Sequence, residues 1–172
     1  MIPVVPARLR PVLALGLLVL VSACARGLDA SVPTTPGTPS LYWPMNAANA
    51  QLDAGAAQEM IAAYRRNKGL PMLALDPGLQ QLAVTETAAM AAAGRPSQAD
   101  IVKTVAARMG FSDPHANLSA GYHTLAEAFS GWRDSPPHNA VLLDPDATRM
   151  GIATAYAPGS KYKVYWALLV AK

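Results

Sequence analysis

The sequence predicts an α+β layered domain, and two observations carry that prediction. From Asp53 to Trp132 apolar residues recur at helical spacing, whereas beyond Pro145 the period falls to two around a Gly-containing turn. Helices followed by a sheet within 172 residues fit one packed core without an internal repeat.

The elements follow in order. Ala57, Ile61 and Tyr64 form one stripe of a first helix over about residues 54–67, which stops at Lys68-Gly69 before Pro71. A short extended piece, Pro71 to Leu75, leads to Asp76, which can cap a second helix with Pro77 in its first turn. Leu79, Leu82, Ala83 and Met90 would face inward, and Gly94 and Pro96 end the helix. Ser97 with Asp100 resembles a capping box opening a third helix through Ile101, Val105 and Met109 that closes at Gly110. Thr124 and Glu127 form a clearer capping pair, after which Leu125, Ala128, Phe129 and Trp132 take the i, i+3, i+4, i+7 spacing of a buried face. Ile152, Thr154 and Tyr156, a Pro158-Gly159-Ser160 turn, then Tyr162, Val164, Trp166, Leu168 and Val170 predict a hairpin.

The N-terminus is an address rather than part of the fold. MIPVVPARLRPVLALGLLVLVSAC places two arginines before an apolar run that is too short to span a bilayer and ends at Cys24. Residues 1–23 are thus expected to be a signal peptide. The Val21-Ser22-Ala23-Cys24 ending resembles the lipobox of bacterial lipoproteins, in which the cysteine is acylated. Cys24 is the chain's single cysteine, so no internal disulfide can form, and membrane attachment through the lipidated residue gives it a purpose. Residues 24–52, with Pro33, Pro36, Pro39 and Pro44, read as an extended tether, and 53–172 as the domain. Ala25 after Cys24 favours the outer membrane, facing the periplasm.

Composition narrows the partners. The net charge of +3 includes Arg8 and Arg10 of the signal, and without them 12 basic residues face 11 acidic ones. That balance gives no reason to expect nucleic acid.

Chemistry-bearing candidates are few. The three histidines are His115, His123 and His138, and HExxH, GxSxG, a glycine-rich phosphate loop and CxxC are all missing. Ser135 and His138 could form a nucleophile and base, but Pro136 and Pro137 between them fix the backbone without ensuring that the side chains meet. The alternative is that Ser135 turns the chain at the end of the Trp132 helix. Three histidines could also share a metal, although spacings of eight and fifteen residues do not place them on one face. His123 precedes a helix cap and is expected to be exposed, and His115 follows Pro114 in a loop. Asn117-Leu118-Ser119 matches a glycosylation sequon, which carries little weight in a bacterial-type lipoprotein; a buried Asn117 would hydrogen-bond loop backbone instead.

IAAYRRNKGLPMLALDPGLQQLA, then ANLSAG, then WRDSPPHNAVLLDPDATRMGIATAY together resemble the CAP superfamily, the SCP-like extracellular or cysteine-rich secretory, antigen 5 and PR-1 domain. The match covers about residues 57–170. It implies an α-β-α sandwich with a central antiparallel sheet, and a cleft that in many members holds two histidines and two acidic residues able to bind a divalent metal. By position His138 falls on the second of those histidines. The cleft glutamate becomes Ala116, the other acidic position becomes Ser135 with Asp134 adjacent, and Gly94-Arg95-Pro96-Ser97-Gln98 replaces the segment where a histidine is expected.

One ligand of four remains, and one neutral imidazole does not hold zinc usefully against water. The sequence therefore reads as a non-catalytic, envelope-anchored module without a cofactor. It would bind a lipid-like or cell-wall ligand, or a partner, around Asn117 and His138. The competing reading is a metal-dependent or Ser/His hydrolase with a site rebuilt from His115, Asp134 and His138.

Overall fold

The computed structural model describes residues 37–172, so the signal segment and Cys24 lie outside the described residues. Five helices and four strands follow in the order α1 (Ala54–Arg66), β1 (Ala74–Leu75), α2 (Pro77–Ala93), α3 (Ala99–Arg108), β2 (His115–Ala120), α4 (Leu125–Asp134), α5 (Pro136–Leu142), β3 (Arg149–Tyr156) and β4 (Val164–Ala171). The strands form one sheet in the order β1-β3-β4-β2. β3, β4 and β2 pair antiparallel, and two residues of β1 add a parallel edge to β3.

Every residue of β4 is buried, because helices cover both faces of the sheet. On one face Val164, Trp166, Leu168 and Val170 join Ile61, Leu125, Trp132 and Leu142 from α1, α4 and α5. On the other, Tyr165, Ala167, Leu169 and Ala171 join Leu79, Met90, Val102 and Ala106 from α2 and α3. The result is the α-β-α sandwich that the resemblance implies. Alternation along a buried central strand supplies both cores from one segment of chain.

Local signals account for most boundaries. Asp53 accepts from the Ala56 N–H at 2.9 Å to start α1. Asp76 accepts from Gly78 and Leu79 at 2.8 and 3.0 Å to start α2, with Pro77 at its first position and Gly94 closing it in the left-handed region. Thr124 Oγ1 accepts from Glu127 N–H, while the Glu127 carboxylate accepts from the backbone of His123, one residue earlier than a standard capping box.

Four expectations are corrected. Met45 is 2% exposed and its N–H donates to His123 O at 2.8 Å, so the later part of the expected tether packs on the domain. The Ser97/Asp100 box does not form: α3 begins after Gln98 without a side-chain cap, and Ile101, Val105 and Met109 face solvent while Val102 and Ala106 pack inward. ANLSA lies in strand β2, not in a loop, and His115 is the strand's first residue. Pro136 and Pro137 open the short helix α5 where a turn was expected, because proline is well suited to a first helical turn, where no N–H partner is needed.

Two close approaches fix the layers. A Cβ on Gly151 of β3 would overlap the Leu79 carbonyl and the Gln80 amide, so α2 lies directly on the strand there. The Gln80 side chain then replaces a missing strand, donating to Ile152 O at 2.7 Å and accepting from Ile152 N–H at 3.0 Å beyond the end of β1. On the opposite face Arg65 is fully buried, and its guanidinium donates to the carbonyls of Pro71, Leu142, Asp144 and Ala147 at 2.8, 3.0, 2.9 and 3.3 Å. Replacing Arg65 with Met would orphan these acceptors at about 1–3 kcal/mol each. Arg65→Met is expected to lower unfolding free energy by at least about 3 kcal/mol in urea titrations, and a change below 1 kcal/mol would show that water satisfies the carbonyls.

Candidate functional site

The region around His138 is built where edge strand β2 meets the α4–α5 corner. α4 ends as Ser135 leaves helical geometry (φ −100°, ψ 114°), and the same residue precedes Pro136 at the start of α5. This places His138 in the first turn of α5. Asn117 of β2 is fully buried, and its Nδ2 donates to the His138 carbonyl at 2.9 Å. The side chain of one strand residue thereby holds the backbone of the helix that carries the histidine. Its Oδ1 is buried without a hydrogen-bond partner.

The His138 imidazole is half-buried, and burial lowers its pKa because the charged form is the more costly to desolvate. At neutral pH it is therefore the neutral ring. Local hydrogen bonding at His138 was expected; the carbonyl makes that bond, and the ring makes none among the described residues.

The other candidates do not gather around it. His115 Nε2 lies 3.4 Å from Asp113 and 3.6 Å from Asp144, beyond the C-terminus of α5, while His138 opens that helix. Asp134 is exposed and its carboxylate accepts from Arg133 at 2.8 and 3.2 Å, a contact that holds its pKa below the usual carboxylate value. Ser135 neither caps α5 with its side chain nor bonds to His138. His123 is exposed, as expected. Neither a Ser/His pair nor a His115–Asp134–His138 constellation is assembled.

A divalent metal does not fit the residues present. Ala116 puts a methyl group into the α2–α3 core cluster where the resemblance places a carboxylate. Among the described residues no three His, Cys, Asp or Glu side chains are grouped to share an ion. The ordered polar contacts nearby are structural: Trp132 Nε1 donates to Ser119 Oγ at 3.1 Å, and Tyr64 Oη donates to Asn139 Oδ1 at 2.9 Å. Sequence reasoning passed over Arg65, Tyr64 and Asn139 as site-shaping residues. The Tyr64-Arg65 pair on the inward stripe of α1 was the available signal.

The family profile for CAP, the cysteine-rich secretory protein family, matches residues 58–170. No curated protein sequence matches the chain. Among solved structures, an outer surface protein from Borrelia burgdorferi superposes with a TM-score of 0.61 at 19% identity over 70% of this chain and 92% of its own. An extracellular protein containing an SCP domain from Bacillus anthracis gives 0.58 at 18% identity over 69% of this chain. A cysteine-rich secretory protein from Staphylococcus aureus gives 0.53 at 18% identity over 67%. The chain spans only 39% and 37% of the latter two. At these identities the likeness concerns the fold.

The depressed His138 pKa has a signed consequence. The unfolded chain takes up a proton at this residue near the ordinary histidine value of about 6.5, and the folded protein resists it. The contribution is intact above that pH and is lost as pH falls below it toward the lowered folded value. Between pH 7 and 5 the urea midpoint of His138→Gln should fall less than that of the wild type, and parallel falls would show that the ring titrates as in solvent.

Proposed function

The chain belongs to the CAP family, the cysteine-rich secretory proteins, and from that premise we propose that it is an envelope-anchored, non-catalytic module binding a ligand or partner at the cleft around Asn117 and His138. The observation that carries this reading is the isolation of His138. An acid–base or nucleophilic site needs a second group within hydrogen-bond reach, and a zinc site needs three or four converging donors. Here the ring has no such companion among the described residues, while Asn117 Oδ1 is a buried acceptor without a donor.

A half-buried neutral imidazole suits recognition of a ligand that hydrogen-bonds to the ring and carries apolar surface. A lipid-like or cell-wall molecule fits that chemistry. Stoichiometric zinc in purified protein that disappears in His138→Ala would overturn the non-metal reading; the expected content is far below one ion per chain in both proteins.

Anchoring rests on the N-terminal layout. Family membership supports export, and the Val21-Ser22-Ala23-Cys24 ending would supply an acylation site after the expected export signal. No helix among the described residues is long and apolar enough to cross a membrane. In this reading attachment comes from acyl chains on Cys24, of which at least two are needed for a stable anchor. Wild-type protein should incorporate a fatty-acid analogue in bacterial cells and sediment with membranes. Cys24→Ser should do neither, and equal labelling of the two would end the anchor reading.

A further inference from the structure

A second concavity lies away from the His138 region, at the corner where α2 turns into α3. Gly94 ends α2 in the left-handed conformation, Pro96 stiffens the turn, and α3 starts at Ala99. The corner forms a half-open cavity of about 220 Å³ whose apolar wall includes Ala89, Pro96 and Ile101. That is room for about seven waters at about 30 Å³ each, the scale of one or two amino acids.

Two opposite charges line this cavity and do not satisfy each other. Glu86 Oε1 is sealed from solvent and has no hydrogen-bond partner among the described residues. A carboxylate desolvated on one side without a donor is costly, so its open side favours a strong donor. Arg95 is exposed at the rim and has no carboxylate within 4.0 Å among the described residues. Beside it, Gln98 leaves the N-terminus of α3 without a side-chain cap, adding partial positive charge to the rim.

We propose that this corner binds a small zwitterion, an apolar amino acid or dipeptide. Its ammonium group donates to Glu86, its carboxylate accepts from Arg95 at the α3 end, and its side chains pack on Ala89, Pro96 and Ile101. Neither charge sign alone fits as well. A simple anion meets the Glu86 carboxylate, and a simple cation meets Arg95. A divalent metal finds a single carboxylate where it needs several ligands. The inference does not use Asn117 or His138, neither of which lines the corner, and it concerns the Gly94–Gln98 segment that in this chain replaces the expected cleft histidine.

L-Alanyl-L-alanine provides the probe, titrated into the purified domain-bearing chain and followed by amide chemical shifts and calorimetry. Saturable shifts centred on residues 86–101 are expected. N-acetylated and C-amidated forms of the dipeptide should each bind at least 10-fold more weakly, as should the free dipeptide to Glu86→Gln or Arg95→Ala. His138→Ala should bind it unchanged, which separates this site from the cleft. Absence of saturable shifts at the corner would overturn the proposal. So would equal binding of the capped forms, which probe the wild-type protein and remain decisive if a variant does not fold.

Discussion

A single buried guanidinium organises one half of this molecule. Arg65 projects from the last turn of α1 and donates to carbonyls on both sides of two separate turns, at Pro71 and at Leu142, Asp144 and Ala147. Burial lowers its pKa while the Asp144 charge opposes that shift, yet an arginine stays protonated in any protein setting. The charge is thus spent on backbone acceptors that would otherwise be buried without donors. Lysine could not span the same set, because its donors radiate from one point rather than from a planar fork. Arg65 fixes where α5 ends, and Asn117 fixes where α5 begins. His138 owes its position to both.

The sheet imposes the second constraint. β4 has helices on both faces, and the two faces are packed differently. Towards α1, α4 and α5 the contact is aromatic, with Trp132 and Trp166 edge to face at 6.4 Å and Tyr64 and Phe129 at 5.5 Å. Towards α2 and α3, Ala83, Ala106, Ala153, Ala167 and Ala171 mix with Leu79, Met90 and Tyr165, and Gly151 lets the α2 backbone touch the strand. At Gly151 the α2 backbone lies directly on the strand, and the concavity on that side is at the α2–α3 corner.

These constraints explain why the chemistry-bearing residues stay apart. Alternation along β2 points Ala116 into the α2–α3 core and its neighbours His115 and Asn117 to the opposite face. His115 then meets Asp113 before β2 and Asp144 past the far end of α5, and Asp134 turns outward to Arg133. What remains at the family's histidine position is one neutral ring, positioned but alone. The proposed recognition role rests on that arrangement, since a fold shared with relatives at 18–19% identity does not decide between recognition and chemistry.

The sequence by itself determined the elements whose signals are local. Asp53, Asp76 and Thr124 announced helix starts, Gly94 a helix end, and period-two alternation about Pro158-Gly159-Ser160 the hairpin, because caps and turns depend on a few adjacent residues. The family resemblance carried the sandwich and the place of His138. Tertiary structure decided the rest. β2 is short and its pattern, HANLSA, reads as loop until β4 supplies its hydrogen bonds. The α3 stripe of Ile101, Val105 and Met109 is as periodic as the buried one, and only the neighbouring sheet selects Val102 and Ala106 instead. Met45 entered the core from a proline-rich segment for the same reason. Which face of an element is buried, and which side chains meet across the fold, depends on partners far away in sequence, and no local pattern records them.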